Sequence, residues 1–257
     1  VDYFLADRFF LPPGEFDDRF TEKIVRLPAS APFLPFAEAP EIAPLPALTC
    51  GHLTFGSFNR PTKINPPVVA LWSSLLRALP DARMLLAAMR PDRSAARLAD
   101  EFANNGIAPD RLLFRPRCDM RTYLELHQQV DICLDTFPYT GGTTTLHACW
   151  MGVPTLTLAG TTVPGRAAAS TLGHVGLSEF VADDDSAFVA RGRAWAADLG
   201  QLADLRGELR ARLQQSALGR PRLVAAGLER AWRIIWQRWC AGLPPCSFEI
   251  DTQELSP

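Results

Sequence analysis

The sequence predicts an α/β fold in which a doubly wound, mostly parallel sheet is followed by a block of C-terminal helices. Three observations carry this. From Leu53 onward, short apolar runs alternate with longer segments of helical period. Those runs are apolar almost throughout, as in strands covered on both faces. Past Asp183 the strand signals stop while helical periodicity continues to about Trp239. Strands separated by single helices imply a Rossmann-like parallel sheet.

Ahead of that pattern, Val1 to about Ala47 holds two strand candidates, Tyr3 to Leu5 and Lys23 to Leu27. A proline-rich run from Pro28 to Pro46 follows. Proline lacks the N–H that a central strand needs, so the run reads as a connection over a surface, and no core of its own is expected in this segment. A start in mid-pattern at Val1 reads as a piece of a longer polypeptide, with residues 1–47 the tail of a preceding domain plus a linker.

The main domain, residues 48–240, opens with the strand Leu53 to Phe58. The helix Pro66 to Leu79 begins with proline and places Val69, Leu71, Trp72, Leu75, Leu76 and Leu79 at helical spacing. Arg83 to Met89 is a strand, Arg93 to Asn104 a helix stopped by Gly106, Arg111 to Phe114 a strand and Met120 to Gln129 a helix. Two strands, Val130 to Leu134 and Val153 to Leu158, then bracket a helix. Gly165 to Leu172 is helical and Phe180 to Ala182 is a last short strand. Three helices close the pattern: Ser186 to Leu199, Leu202 to Gln215 and Leu223 to Trp239. The face Arg206, Glu208, Arg210, Arg212 reads as solvated. The stripe Trp232, Trp236, Trp239 reads as core or interdomain packing. Residues 241–257 are expected to form a loose tail.

Composition narrows the function classes. The 257 residues are 47% apolar and 21% charged, ordinary for a globular domain. A net charge of −2 argues against a nucleic-acid-binding surface. The six cysteines are widely spaced with no CxxC pair, which suits reduced thiols of a cytoplasmic protein better than a disulfide or zinc framework. No apolar run is long enough to span a bilayer, so no membrane partner is expected.

Chemistry concentrates at two strand ends. After Val130 to Leu134 comes a turn with Pro138 and the pair Gly141-Gly142, then a helix begun by Thr143, Thr144 and Thr145. The first N–H groups of a helix lack intrahelical partners and lie at the positive end of its dipole, so such a turn can seat a phosphate; an ordinary capped turn uses the same residue types. After Leu53 to Phe58 comes Asn59-Arg60-Pro-Thr-Lys63-Ile64. In a doubly wound sheet both ends face one crevice, where Lys63 and the threonines could hold a diphosphate from two sides; taken singly, Lys63 is a surface lysine. His147, one helical turn on, either overlooks that crevice or is a satisfied helix histidine. His52 and His127 read as structural or solvated. Neither GxxxxGK(S/T) nor GxGxxG occurs, which argues against P-loop and ordinary dinucleotide sites. Asp183-Asp-Asp185 fits a helix start better than a metal site.

The stretch Asp135-Thr-Phe-Pro-Tyr-Thr-Gly-Gly-Thr-Thr-Thr145, with Trp150-Met-Gly-Val-Pro-Thr-Leu-Thr-Leu-Ala-Gly160, resembles the C-terminal catalytic half of the bacterial-type O-linked N-acetylglucosamine transferase and Spindly family. So do Ser57-Phe-Asn-Arg-Pro-Thr-Lys-Ile64, Arg166-Ala-Ala-Ala-Ser170, His174-Val-Gly-Leu-Ser-Glu-Phe-Val-Ala182 and the helix from Leu205 to Leu213. The resemblance runs in order from Leu53 to Trp239.

It implies the nucleotide-sugar-binding C-terminal domain of a GT-B fold. The implied activity is inverting, metal-independent transfer of a sugar, best matched by N-acetylglucosamine from UDP-N-acetylglucosamine, to serine or threonine of an acceptor protein. A preceding N-terminal catalytic domain and tetratricopeptide repeats would complete the enzyme, and no cofactor beyond the nucleotide sugar is implied. Lys63 falls at the catalytic lysine that meets the donor diphosphate, flanked by Asn59 and Arg60. Gly142, Thr143, Thr144 and Thr145 fall at the phosphate-holding helix start, and Tyr123 where a ring packs on the base. Arg166 and His147 complete the donor-binding set, His147 standing where the family usually has an acidic residue. Two alternatives accompany this reading: a non-catalytic nucleotide-binding or scaffold protein of the same fold, and the same chemistry with GDP-fucose or UDP-glucose.

Overall fold

The structure, a computed structural model, describes residues 1–89 and 93–255. In chain order the elements are β1 (Tyr3–Asp7), β2 (Lys23–Leu27), α1 (Ala47–Cys50), β3 (Thr54–Ser57), α2 (Pro66–Ala78), β4 (Arg83–Leu86), α3 (Arg93–Asn104), β5 (Leu112–Phe114), α4 (Met120–Leu126), β6 (Ile132–Leu134), α5 (Thr143–Trp150), β7 (Thr155–Leu158), α6 (Ala167–His174), β8 (Val181–Ala182), α7 (Asp185–Ala197), α8 (Leu199–Gln215), α9 (Pro221–Cys240) and β9 (Phe248–Glu249).

Strands β3 to β8 form one sheet in the order β5-β4-β3-β6-β7-β8, every pairing parallel. The chain winds outward through β4 and β5, then crosses back to β6 and winds the other way. The switch point therefore falls between β3 and β6, where the sheet leaves a crevice beyond its carboxyl ends. Helices on both faces bury the sheet: Phe55, Trp72, Leu75, Leu76, Met84, Leu134, Leu156 and Leu209 are all essentially inaccessible. Gly56 is required in β3, since a Cβ there would lie 2.6 Å from the Val130 side chain.

Residues ahead of the linker do more than the sequence reading expects. β1 and β2 pair in parallel, and Ala6, Leu11, Phe16 and Ile24 form a small core. The segment past Cys240, expected to be loose, instead returns as β9 to the free edge of β2, with Ile250 N–H donating to the Arg26 carbonyl at 2.9 Å. The physical reason is the open row of backbone donors and acceptors that β2 otherwise exposes. α9 packs Ala231 with Val25 and Leu27 beneath this sheet. Residues 256–257 of the tail lie outside the described residues.

Two expectations about helix faces are corrected. Arg206 is 2% exposed, not solvated, and donates to the carbonyls of Ala43, Val130 and His127. Arg210 is partly buried and serves Trp150 and Pro40 in the same way. A proline-rich linker has few donors to pair its carbonyls internally, and these guanidinium groups supply them. Glu208 and Arg212 do form the exposed i,i+4 pair. Trp232, Trp236 and Trp239 are 58%, 62% and 70% exposed, which excludes the core reading of the stripe and leaves that of interdomain packing. No described helix is long and apolar enough to cross a membrane.

Candidate functional site

The site is built on Asp135, the residue that follows β6. Its carboxylate is fully buried and accepts from Thr136 N–H (2.9 Å), Gly141 N–H (2.7 Å), Asn59 Nδ2 (3.0 Å) and Thr157 Oγ1 (2.8 Å). Burial raises its pKa, and the donors oppose that shift. Trp72 Nε1 donates to the Asp135 carbonyl at 3.2 Å. This knot folds the turn back so that the Gly141 Cα faces Thr144 and Thr145. A Cβ at Gly141 would meet their hydroxyl oxygens at 2.6 and 2.7 Å.

α5 then starts at Gly142 without a side-chain cap. The Thr145 hydroxyl turns inward to the Gly141 carbonyl at 3.1 Å, while Thr143 is exposed and Thr144 half-buried. The Thr144 hydroxyl donates to Asn59 Oδ1 at 3.1 Å. Since Asp135 only accepts, Asn59 must present its amide N–H₂ to Asp135 and its oxygen to Thr144. The loop after β3 is thereby tied to the start of α5.

Lys63 closes the other side. Its Nζ donates to the Thr140 carbonyl at 2.8 Å and lies 4.0 Å from the Tyr139 ring centroid. Partial burial lowers the Lys63 pKa, with Asp135 opposing and neighbouring Arg60 reinforcing the shift. Arg60 itself is exposed. An uncapped helix start beside a fixed ammonium is a strong anion seat, combining unpaired N–H groups, the dipole and a point charge.

Farther along α5, His147 Nδ1 and the Tyr123 hydroxyl are 3.3 Å apart. The Tyr123 ring meets Phe58 and His127 edge-on, with centroids 5.5 and 5.1 Å away. His127 is fully buried and stacked on Phe58 at 3.6 Å, a structural histidine.

Of the residues expected at the site, Asn59, Arg60, Lys63, Gly142, Thr143, Thr144, Thr145, Tyr123 and His147 are brought around this crevice. Arg166 is not. Its guanidinium donates to the carbonyls of Phe10, Gly160 and Phe9 and lies over the Phe16 ring, fastening the N-terminal segment to the loop after β7. Asp184, in the acidic run, caps α7 through Ala187 N–H at 2.7 Å. Among the described residues no cluster of three metal-ligating side chains occurs. Sequence reasoning named the Gly141-Gly142 pair in the turn but missed Asp135 and Trp72 as its builders. A lone carboxylate ending a buried apolar strand was the available signal for Asp135.

Residues 47–227 match the profile of glycosyl transferase family 41. The chain belongs to that family. It is 34% identical over 264 residues to the probable UDP-N-acetylglucosamine–peptide N-acetylglucosaminyltransferase SPINDLY of Oryza sativa subsp. japonica, covering 100% of this chain and 28% of the rice protein. The corresponding Arabidopsis thaliana protein is 34% identical over 250 residues, covering 95% of this chain and 27% of the plant one. Among solved structures, a lysine-to-methionine variant of Thermobaculum terrenum O-GlcNAc transferase superposes with a TM-score of 0.84 at 36% identity, covering 94% of this chain and 46% of that one. The chain thus spans little more than a quarter of the length of the curated family 41 relatives it matches. Its α/β fold is that of the C-terminal domain of a GT-B glycosyltransferase. TarM, at 8% identity and a TM-score of 0.57, shares the fold alone.

Proposed function

We propose that this chain is the donor-binding half of an O-GlcNAc transferase-like enzyme that moves N-acetylglucosamine from UDP-N-acetylglucosamine to serine or threonine of an acceptor protein. The observation that carries the reading is Lys63, held at 2.8 Å on Thr140 O beside the open start of α5. The diphosphate sits on the N–H groups and hydroxyls of Gly142, Thr143 and Thr144. The acceptor hydroxyl attacks the anomeric carbon in one displacement, inverting it, as the bond to the diphosphate breaks and the hydroxyl proton passes to the departing diphosphate. Negative charge then grows on the leaving oxygen, and in this reading Lys63 and the helix start stabilise it. Such preorganised charge stabilises the transition state without reorganisation and takes the part a metal ion would otherwise play. Acceptor-side residues, and repeats that recruit the acceptor, belong to a preceding part of the longer polypeptide.

Calorimetry with UDP and GDP on the intact chain tests the site, and a transfer assay on the full-length polypeptide tests the reaction. Binding of UDP in preference to GDP is expected. Failure of both nucleotides to bind would sink the proposal; preference for GDP would move the donor to a GDP-sugar, and binding without transfer would leave a scaffold.

A further inference from the structure

Tyr139 is 57% exposed in the turn after β6, where a large ring gains little from burial. Its face is nevertheless occupied, since Lys63 Nζ lies 4.0 Å from the ring centroid. The backbone beneath the ring is fixed. The Thr136 hydroxyl donates to the Tyr139 carbonyl at 2.8 Å, and the Thr140 N–H donates to the Pro164 carbonyl at 3.1 Å. The Lys63 ammonium therefore meets two consecutive residues of one anchored turn, the ring of Tyr139 and, at 2.8 Å, the carbonyl of Thr140.

Both partners offer negative potential without net charge, the ring through its quadrupole and the carbonyl through its dipole. The ammonium is held in place while its positive charge stays uncancelled. A carboxylate would neutralise it. Among the described residues none lies within ion-pair distance of Lys63, and that of Asp135 is spent on four other donors. An ammonium has three N–H donors. One is spent on Thr140 and the ring covers a second direction, which leaves the third for a ligand. We propose that Tyr139 is a positioning residue that, with the Thr140 carbonyl, aims the Lys63 ammonium so that its remaining N–H donates to a diphosphate oxygen of the bound sugar nucleotide. This rests on the reading of the α5 start as a diphosphate seat. Partial burial pulls the Lys63 pKa down, and the negative face of the ring favours the charged form against that pull.

The test begins with the methylene protons next to Nζ, observed by magnetic resonance in the chain with carbon-13-labelled lysine and assigned with Lys63→Ala. In the unsubstituted chain the ring current of Tyr139 should move the Lys63 signal upfield. Tyr139→Phe should keep that shift and Tyr139→Leu should lose it. A Lys63 signal at the position of solvated lysines in the unsubstituted chain overturns the proposal whatever binds. Calorimetry supplies the functional arm: Tyr139→Leu should weaken UDP about fivefold, the worth of roughly one cation–π contact, and Tyr139→Phe should bind as the parent does. With Lys63→Ala already in place, Tyr139→Leu should cost nothing more. Losses that add in the double variant would mean that Tyr139 acts independently of Lys63, which overturns the positioning role while leaving the diphosphate seat standing. Undiminished UDP binding by Tyr139→Leu does the same. Failure of UDP to bind the unsubstituted chain removes both.

Discussion

Lys63 Nζ reaches across the switch point of the sheet to donate to the Thr140 carbonyl at 2.8 Å, so a cation from the β3 loop is fixed to the turn that follows β6. Its place is set before any ligand arrives, which is the condition under which a charge contributes most to a transition state. Lys63→Ala is expected to lower transfer by the full-length polypeptide on the order of 10²-fold. Circular dichroism should show the fold retained. Unchanged transfer would remove Lys63 from the reaction.

Gly141 is the tightest point of the site. Gly141→Ala forces a methyl to within 2.6 Å of Thr144 Oγ1 and 2.7 Å of Thr145 Oγ1, so the threonines must shift. UDP affinity should fall at least tenfold, measured by calorimetry. Gly207 supplies the contrast: nothing lies within 4 Å of a Cβ there, and it sits inside α8. Gly207→Ala should stabilise the chain by up to ~1 kcal/mol in urea denaturation, because alanine favours the helix. A Gly141→Ala chain that binds UDP normally would mean that the turn is more pliant than its contacts suggest.

Asp135 holds the whole turn. Asp135→Ala strands four donors, two of them backbone N–H groups, in the protein interior. The expected cost is about 3 kcal/mol, with loss of nucleotide binding. Asp135→Asn should be less costly, since the amide oxygen still accepts but its N–H₂ must face a donor. Equal stability of the alanine variant and the parent would refute this account of the turn.

Acid should loosen the chain through His127. Burial depresses its pKa from 6.5 to about 3, outweighing the Tyr123 carbonyl contact. The unfolded chain therefore takes up the proton first. The stabilisation is complete above pH 6.5 and declines as pH falls toward 3, by up to ~1.4 kcal/mol per pH unit. His147, also lowered by burial, contributes a slope of the same sign. Urea midpoints between pH 7 and 5 should fall more steeply for the parent than for His127→Gln. Parallel slopes would mean that His127 is not titrating on unfolding.

Much of this was legible in the sequence. Alternating strands and helices set the sheet, and the positions of Asn59, Lys63 and Thr143 at two strand ends put them at one crevice. Where reading failed, a long-range partner decided. Arg206 has the same neighbours in sequence as any solvated helix arginine, and only distant carbonyls, of Ala43 in the proline-rich linker and of His127 and Val130 ahead of β6, make it interior. Arg166 matches a family position, yet its guanidinium is consumed by carbonyls of the N-terminal segment. Asp135 shows why a site's builders escape notice: its four donors come from Thr136, Gly141, Asn59 and Thr157, and no local pattern joins them. β9 is too short to register as a strand and exists because β2 has an edge to fill.

That edge has a consequence for biosynthesis. β2 acquires its last partner from residues 223 positions later, as the Ile24 to Ser247 hydrogen bond marks. At typical synthesis rates of roughly 5–20 residues per second, the nascent chain carries an unpaired strand edge for on the order of ten to forty seconds. During that interval the ribosome and any attending chaperone, not the fold, must keep it from pairing with a neighbour.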